Sequence, residues 1–69
     1  MSKSQRHILG ERIREAREKA GLTIKELSEM SDVSTGTISH IECAVTDPSV
    51  GNIRKLADAL GIAITKFIK

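Results

Sequence analysis

The sequence predicts a single all-α domain of five helices, and three observations lead to that fold class. The chain has 69 residues, which is the length of one small domain. Its apolar residues recur at helical spacing, and no stretch alternates between apolar and polar residues as a half-buried strand would. Serine, threonine and glycine stand where successive helices are expected to begin and end.

The first helix is predicted over roughly residues 8–20. Its buried face is marked by apolar residues at i, i+4, i+7 and i+11, namely Leu9, Ile13, Ala16 and Ala20. Gly21 follows, and glycine often ends a helix because it adopts a left-handed backbone without strain. Residues 1–7 are polar and basic, so we expect a flexible N-terminal arm there and a folded helical domain over residues 8–69.

Two short helices joined by a tight turn are predicted over residues 23–42. Thr23 precedes Glu26 at the spacing of a capping box, which begins the second helix. Ser34 is the expected N-cap of the third helix. The turn needs a residue that tolerates a left-handed backbone, and Asp32 can serve. The apolar residues that would hold the third helix against the core are Val33, Ile38 and Ile41.

The last two helices are predicted from the same kinds of signal. Ser49 is expected to cap the fourth helix, and Gly61 is expected to end it. One apolar stripe runs along this helix, formed by Ile53, Leu56, Ala57 and Leu60. The tail from Ile62 to Lys69 is expected to form a short fifth helix, whose apolar residues either complete the core or contact a second copy of the chain.

Composition argues against several classes of protein. Cys43 is the only cysteine, which leaves no intrachain disulfide and fits a reducing compartment. No apolar run approaches the roughly 20 residues that cross a bilayer, so we expect a cytoplasmic protein without a membrane partner. There is no nucleophile–base pair and no phosphate-binding glycine loop, so an enzyme and a cofactor are not expected. His40 and Cys43 share one helix face, but two ligands do not make a zinc site, and no metal is expected.

Seven short motifs in register resemble the lambda-repressor-like (Cro/C1, XRE) helix-turn-helix family. They are Gly21-Leu22-Thr23, Glu26-Leu27, Val33-Ser34, Thr37-Ile38-Ser39, Ile41-Glu42, Asp47-Pro48-Ser49 and Leu56-Ala57-Asp58-Ala59-Leu60-Gly61. The resemblance covers roughly Leu9 to Phe67. It implies a five-helix bundle that binds operator DNA as a homodimer, and therefore a DNA-binding transcriptional regulator that acts as a repressor.

The resemblance also implies roles for individual residues. The third helix would lie in the major groove as the recognition helix, with a base-facing surface formed by Ser34, Thr35, Gly36, Thr37, Ser39 and His40. Phosphates would be approached by Thr23, Thr46 and Ser49, and positive charge would come from Lys25, Lys3 and Arg6. Arg17 and Glu42 occupy positions that pair as a structural ion bridge. The dimer interface would be formed by Ile62, Ile64, Phe67 and Ile68.

Three departures from the family pattern leave other hypotheses open. No Lys or Arg occurs between Glu26 and Ile53, Ile24 replaces a phosphate-contacting glutamine, and the recognition helix has no Arg, Gln or Asn to read a base edge bidentately. DNA binding is therefore expected to be modest or to depend on dimerisation. One alternative is a protein-interaction module on the same fold with little DNA affinity. Another is the DNA-binding part of a longer regulator or antitoxin, for which a protein effector or antirepressor would be a further partner.

Overall fold

The computed structural model describes residues 2–67, and these residues form helices without any strand. Helix α1 spans Lys3–Lys19, α2 spans Ile24–Ser31, α3 spans Thr35–Glu42 and α4 spans Val50–Leu60. A 3-10 helix at Ile64–Lys66 follows α4. The all-α fold class predicted from the sequence is confirmed.

The helices pack around one mostly aliphatic core. Helix α1 packs mainly on α3, whereas α2 packs mainly on α4. Each of the largest buried side chains contributes about 1.5–3 kcal/mol to folding through removal of apolar surface from water. The buried apolar residues are Leu9, Ile13, Leu27, Val33, Ile38, Ile41, Ile53, Leu56, Ala57 and Phe67.

The predicted caps of the three central helices are confirmed. The hydroxyls of Thr23, Ser34 and Ser49 accept hydrogen bonds from the backbone N–H groups three residues later, which satisfies donors that have no partner within the helix. Asp32 ends α2 with a φ of 62°, and Gly61 ends α4 with a φ of 69°. Both residues therefore adopt the left-handed backbone that the sequence predicts for them.

The start of α1 differs from the prediction. The helix begins at Lys3, so residues 3–7 are helical and the expected flexible arm over residues 1–7 is wrong for that part of the chain. The physical reason is a capping box, in which Ser2 Oγ accepts from the Gln5 backbone N–H at 3.2 Å and Gln5 Oε1 accepts from the Ser2 N–H at 2.9 Å. These two local hydrogen bonds satisfy N–H groups at the start of the helix and do not depend on the apolar stripe.

The C-terminal end also differs from the predicted fifth helix. Within the described residues it is a 3-10 helix, Ile64–Lys66, and Ile68 and Lys69 lie outside them. Ala63 caps this element without a side-chain hydrogen bond, and so short a segment gains little from helix propagation. The end is held instead by the buried Phe67 ring and by a hydrogen bond of 3.3 Å from Arg12 Nη1 to the Lys66 carbonyl.

Candidate nucleic-acid interface

Helices α2 and α3 form a helix-turn-helix unit. The left-handed Asp32 reverses the chain, and the next residue, Val33, is 4% exposed and anchors the turn in the core. Ser31 Oγ accepts a hydrogen bond of 3.3 Å from the Val33 N–H, so a buried hydroxyl supports the turn. Ser28, on α2, is half-buried.

The outer surface of α3 contains most of the residues that the sequence predicts to face bases. Ser34, Thr35, Gly36 and His40 are exposed, whereas Thr37 and Ser39 are half-buried at the edges of this surface. Cys43 is also exposed and lies seven residues after Gly36 and three after His40. The base-facing residues predicted from the sequence do not include Cys43, although its i+7 spacing from Gly36 places it on the same helix face.

The hydroxyl groups at the start of α3 are engaged with one another. Ser34 Oγ accepts from the Thr37 N–H at 3.2 Å and lies 2.7 Å from Thr37 Oγ1, to which it donates. Thr37 can then still donate its own hydroxyl hydrogen outward. Hydroxyls in this arrangement can make single hydrogen bonds to base edges, and these discriminate less than the bidentate contacts of Arg, Gln or Asn.

The predicted ion pair between Arg17 and Glu42 is present and fastens α3 to α1. Arg17 Nε donates to Glu42 Oε2 at 2.8 Å and Nη2 donates to Oε1 at 3.0 Å, which gives a bidentate contact. The third donor, Nη1, bonds to the Leu22 carbonyl at 2.9 Å. The side chains are only 13% and 6% exposed. The hydrogen bond to Glu42 raises the pKa of Arg17, so the guanidinium stays charged wherever the protein is folded.

Gly10 is a second link between α1 and α3, and the sequence analysis missed its role. A Cβ atom at this position would collide with the Ile41 carbonyl oxygen and lie 2.9 Å from the Glu42 carbonyl oxygen. The two helices can therefore cross this closely only because residue 10 has no side chain. The signal in the sequence was a glycine inside an otherwise regular helical pattern, where it costs about 1 kcal/mol relative to alanine.

The residues predicted to approach phosphates lie in several different elements. Thr23 and Ser49 are exposed N-caps of α2 and α4, and each hydroxyl keeps a hydrogen to donate because it accepts from the backbone. Lys25 is exposed in the first turn of α2, and Thr46 is half-buried in the loop before α4. On α1, Lys3 is exposed, whereas Arg6 is half-buried and contacts Asp47.

The charge at the helix N-termini differs between the elements of this surface. The first turns of α3 and α4 contain no acidic residue, so their free N–H groups and helix dipoles can attract an anion. The first turn of α2 contains Glu26, whose carboxylate accepts from the Thr23 N–H at 2.8 Å. The starts of α3 and α4 are thus better placed for phosphate contact than the start of α2.

A profile of the Helix-turn-helix family matches residues 13–67 of this chain. The chain belongs to the helix-turn-helix family. The match includes the whole α2–α3 unit together with α4 and the 3-10 helix. The resemblance to this family that the sequence motifs indicate is confirmed.

Two curated transcriptional regulators are similar to this chain. HTH-type transcriptional regulator ImmR of Bacillus subtilis is 34% identical over 55 residues, which are 80% of this chain and 43% of the relative. HTH-type transcriptional regulator DdrOP3 of Deinococcus deserti is 34% identical over 61 residues, which are 88% of this chain and 47% of the relative. The chain thus spans less than half the length of each of these relatives.

The predicted dimer residues of this helix-turn-helix protein are not equally available for contact. Ile62 and Ile64 are half-buried and pack against the core. Phe67 is 5% exposed and belongs to the core, so its ring has little surface left for contact with a second copy. The physical reason is that the tail folds back over α4 and brings the ring inward. Ile68 lies outside the described residues.

Two further features concern residues 2–67 as a whole. In this part of the chain, no three His, Cys, Asp or Glu residues are grouped closely enough to hold a metal ion. Among the same residues, no helix combines the length and apolarity required to cross a membrane.

Proposed function

We propose that this protein binds double-stranded DNA with α3 in the major groove and represses transcription by occupying an operator. The observation that carries the proposal is the α2–α3 unit, which presents the N-terminal half of α3 to solvent while Ile38 and Ile41 fix its other side in the core. The names of the two similar regulators support it. We place such a protein in the cytoplasm.

The dimensions of the molecule fit this mode of binding. An α3 helix of 8 residues is about 12 Å long, close to the width of the major groove at about 12 Å. The longest extent of the protomer is 28 Å, which is less than the roughly 34 Å between successive half-sites on one face of DNA. One copy would therefore contact one half-site, and a two-fold dimer would contact two. Ile62 and Ile64 are the half-buried candidate dimer contacts among residues 2–67.

The chemistry of the surface predicts modest affinity. Thr35 and His40 offer one hydroxyl and one imidazole to base edges, and a threonine methyl can contact the methyl group of thymine. Phosphate contacts would come from the amides and hydroxyls at the starts of α3 and α4 and from Lys25. Since the sequence has no Lys or Arg between Glu26 and Ile53, dimerisation would supply much of the total binding free energy.

The first test is a fluorescence-anisotropy titration with random-sequence DNA at low and near-physiological salt, followed by selection of bound sequences. Binding that weakens as salt rises and enriches a palindrome would support the proposal, because phosphate binding releases counterions. The absence of binding at low salt would refute it.

The groove assignment has its own test in matched substitutions. Thr35→Ala and His40→Ala should weaken binding to the selected site while leaving the helical circular dichroism unchanged. Thr65→Ala and His7→Ala are the controls, because these residues are exposed and lie outside the α2–α3 unit. Equal affinity for the site in test and control variants would contradict the assignment of α3 to the groove.

A second candidate function is protein binding by the same fold. The observation that favours it is the acidic surface of α2 and its turn, where Glu26, Glu29 and Asp32 are all exposed. Such a surface repels phosphates and suits a basic protein partner. Failure to bind DNA at low salt would favour this function. The regulators similar to this chain extend beyond the matched region, so an effector-binding or antirepressor-binding segment would belong to a longer protein of this kind.

A further inference from the structure

We infer that Asp47 sets DNA affinity by competing with a DNA phosphate for the guanidinium of Arg6. The inference rests on the proposed DNA binding and names a residue that limits it. Arg6 lies on α1, and Asp47 lies in the loop between α3 and α4. Their side chains form one of the ion pairs that join separate elements among residues 2–67.

The charged groups of Arg6 and Asp47 are close to each other, but they are not aligned for a hydrogen bond. Arg6 Nε lies 3.3 Å from Asp47 Oδ1, yet the Nε–H is not directed at an acceptor, and this buried nitrogen makes no hydrogen bond to any of the described residues. The Asp47 side chain is 61% exposed, whereas the Arg6 side chain is 27% exposed. A buried N–H without an acceptor is unfavourable, so an anion that accepts from it could replace the carboxylate.

Asp47 lies close in sequence to the N-terminus of α4, a position suited to phosphate binding. Asp47 stands two residues before Ser49, the N-cap of α4, and the first turn of α4 contains no acidic side chain. A phosphate that approached the free N–H groups there would compete with the Asp47 carboxylate for the nearby Arg6 guanidinium. Asp47 thus cancels the positive charge that α1 brings to this end of the surface.

The other ion pair between α1 and the α3 region shows why Arg6, and not Arg17, is the exchangeable cation. Arg17 binds Glu42 through two aligned hydrogen bonds of 2.8 and 3.0 Å, with both side chains largely buried. The Arg6 pair has an exposed carboxylate and no aligned hydrogen bond, and ion pairs of that kind contribute little. Arg6 is therefore free to change partners, and the sequence supplies no Lys or Arg between Glu26 and Ile53 that could take its place.

The test compares Asp47→Asn with a second variant that also removes one negative charge. Both are made in the wild-type protein and in the Arg6→Gln variant. Glu29→Gln is the matched control, because Glu29 is exposed and forms no ion pair within residues 2–67. Each variant is made alone and together with Arg6→Gln, its fold is checked by circular dichroism, and its affinity for random-sequence DNA is measured by anisotropy across a salt series. Random DNA is the probe because phosphate contacts carry no sequence information.

Asp47→Asn should tighten binding by about two- to five-fold relative to wild type, the range expected for release of a surface ion pair. It should also steepen the slope of log affinity against log salt by about 0.9, since one further phosphate is engaged. In the Arg6→Gln background, Asp47→Asn should change affinity no more than Glu29→Gln does.

Two results would overturn the inference while leaving DNA binding intact. If the gain from Asp47→Asn persisted in the Arg6→Gln background, the effect would be general removal of negative charge. If Asp47→Asn weakened binding, Asp47 would position Arg6 for DNA instead of competing for it. A wild-type protein that fails to bind DNA at low salt would overturn the proposed function and this inference with it.

Discussion

Gly10→Ala should destabilise the protein, although alanine is the better helix former. In an exposed helix this change gains about 1 kcal/mol. Here the new methyl group would collide with the Ile41 carbonyl oxygen and lie 2.9 Å from the Glu42 carbonyl oxygen. Backbone oxygens cannot swing aside as a flexible side chain can, so α1 and α3 must move apart. Overpacking costs about 1–3 kcal/mol, and contact with two rigid backbone oxygens places Gly10→Ala at the upper end, so the net loss after the gain in helix propensity is about 2 kcal/mol.

The chain offers a matched control at Gly51, which also lies within a helix. A Cβ atom there would meet only Ser49 Oγ at 3.9 Å, an ordinary van der Waals contact. Gly51→Ala should therefore stabilise the protein by up to about 1 kcal/mol. The same chemical change should thus shift stability in opposite directions at the two positions.

The stability of both variants is measured by thermal and urea unfolding, monitored by circular dichroism. A domain of 69 residues has a free energy of unfolding of about 3–10 kcal/mol, so a loss of 2 kcal/mol is a large fraction. The Tm of Gly10→Ala should fall by about 10 °C. If Gly10→Ala matched or exceeded the Tm of wild type, the close crossing of α1 and α3 would be wrong.

Four further substitutions test other parts of the structure. Ala44→Gly should raise stability by about 0.5–1 kcal/mol in urea unfolding, because Ala44 has a φ of 60° and glycine removes that strain; a loss of stability would contradict this conformation. Arg17→Ala should cost about 3–5 kcal/mol in the same assay because it leaves Glu42 buried without its partner, and a loss below 1 kcal/mol would show that the pair is solvated. Phe67→Asp should abolish the cooperative thermal transition, since Phe67 is 5% exposed, and a folded Phe67→Asp variant would remove Phe67 from the core. Ile62→Asp should remain folded, because Ile62 is only half-buried. Its sedimentation profile should shift if Ile62 contacts a second copy.

The three central helices could be predicted from local chemistry. Thr23, Ser34 and Ser49 mark helix starts because a hydroxyl satisfies N–H groups that the helix itself leaves unpaired, whatever lies elsewhere in the chain. The start of α1 was missed because its capping box, Ser2 with Gln5, precedes the apolar stripe on which the prediction depended. The end of the described chain depends on burial of the Phe67 ring and not on a local signal, so the predicted fifth helix is a short 3-10 helix there.

The candidate site was predictable only in part. Positions on the outer face of α3 follow from its apolar spacing, and the ion pair between Arg17 and Glu42 follows from register with the family. The need for glycine at position 10 and the contact between Arg6 and Asp47 arise where distant segments cross. Periodicity within one helix contains no information about such crossings. A glycine inside a helical pattern marks position 10 as unusual, but neither the residues that Gly10 meets nor the partner of Arg6 could be predicted from this sequence alone.

The way α3 is attached has a consequence for how this protein could change its target. Its links to the rest of the molecule, including Ile38, Ile41 and Glu42, lie on the inner side, whereas Gly36 and His40 project outward without supporting the fold. Outward positions could therefore be exchanged by mutation with little loss of stability, so new DNA sequences would be accessible by single steps. Ser34 is the exception, because its hydroxyl both caps the helix and faces the candidate groove surface, and a change there would alter stability and target choice together.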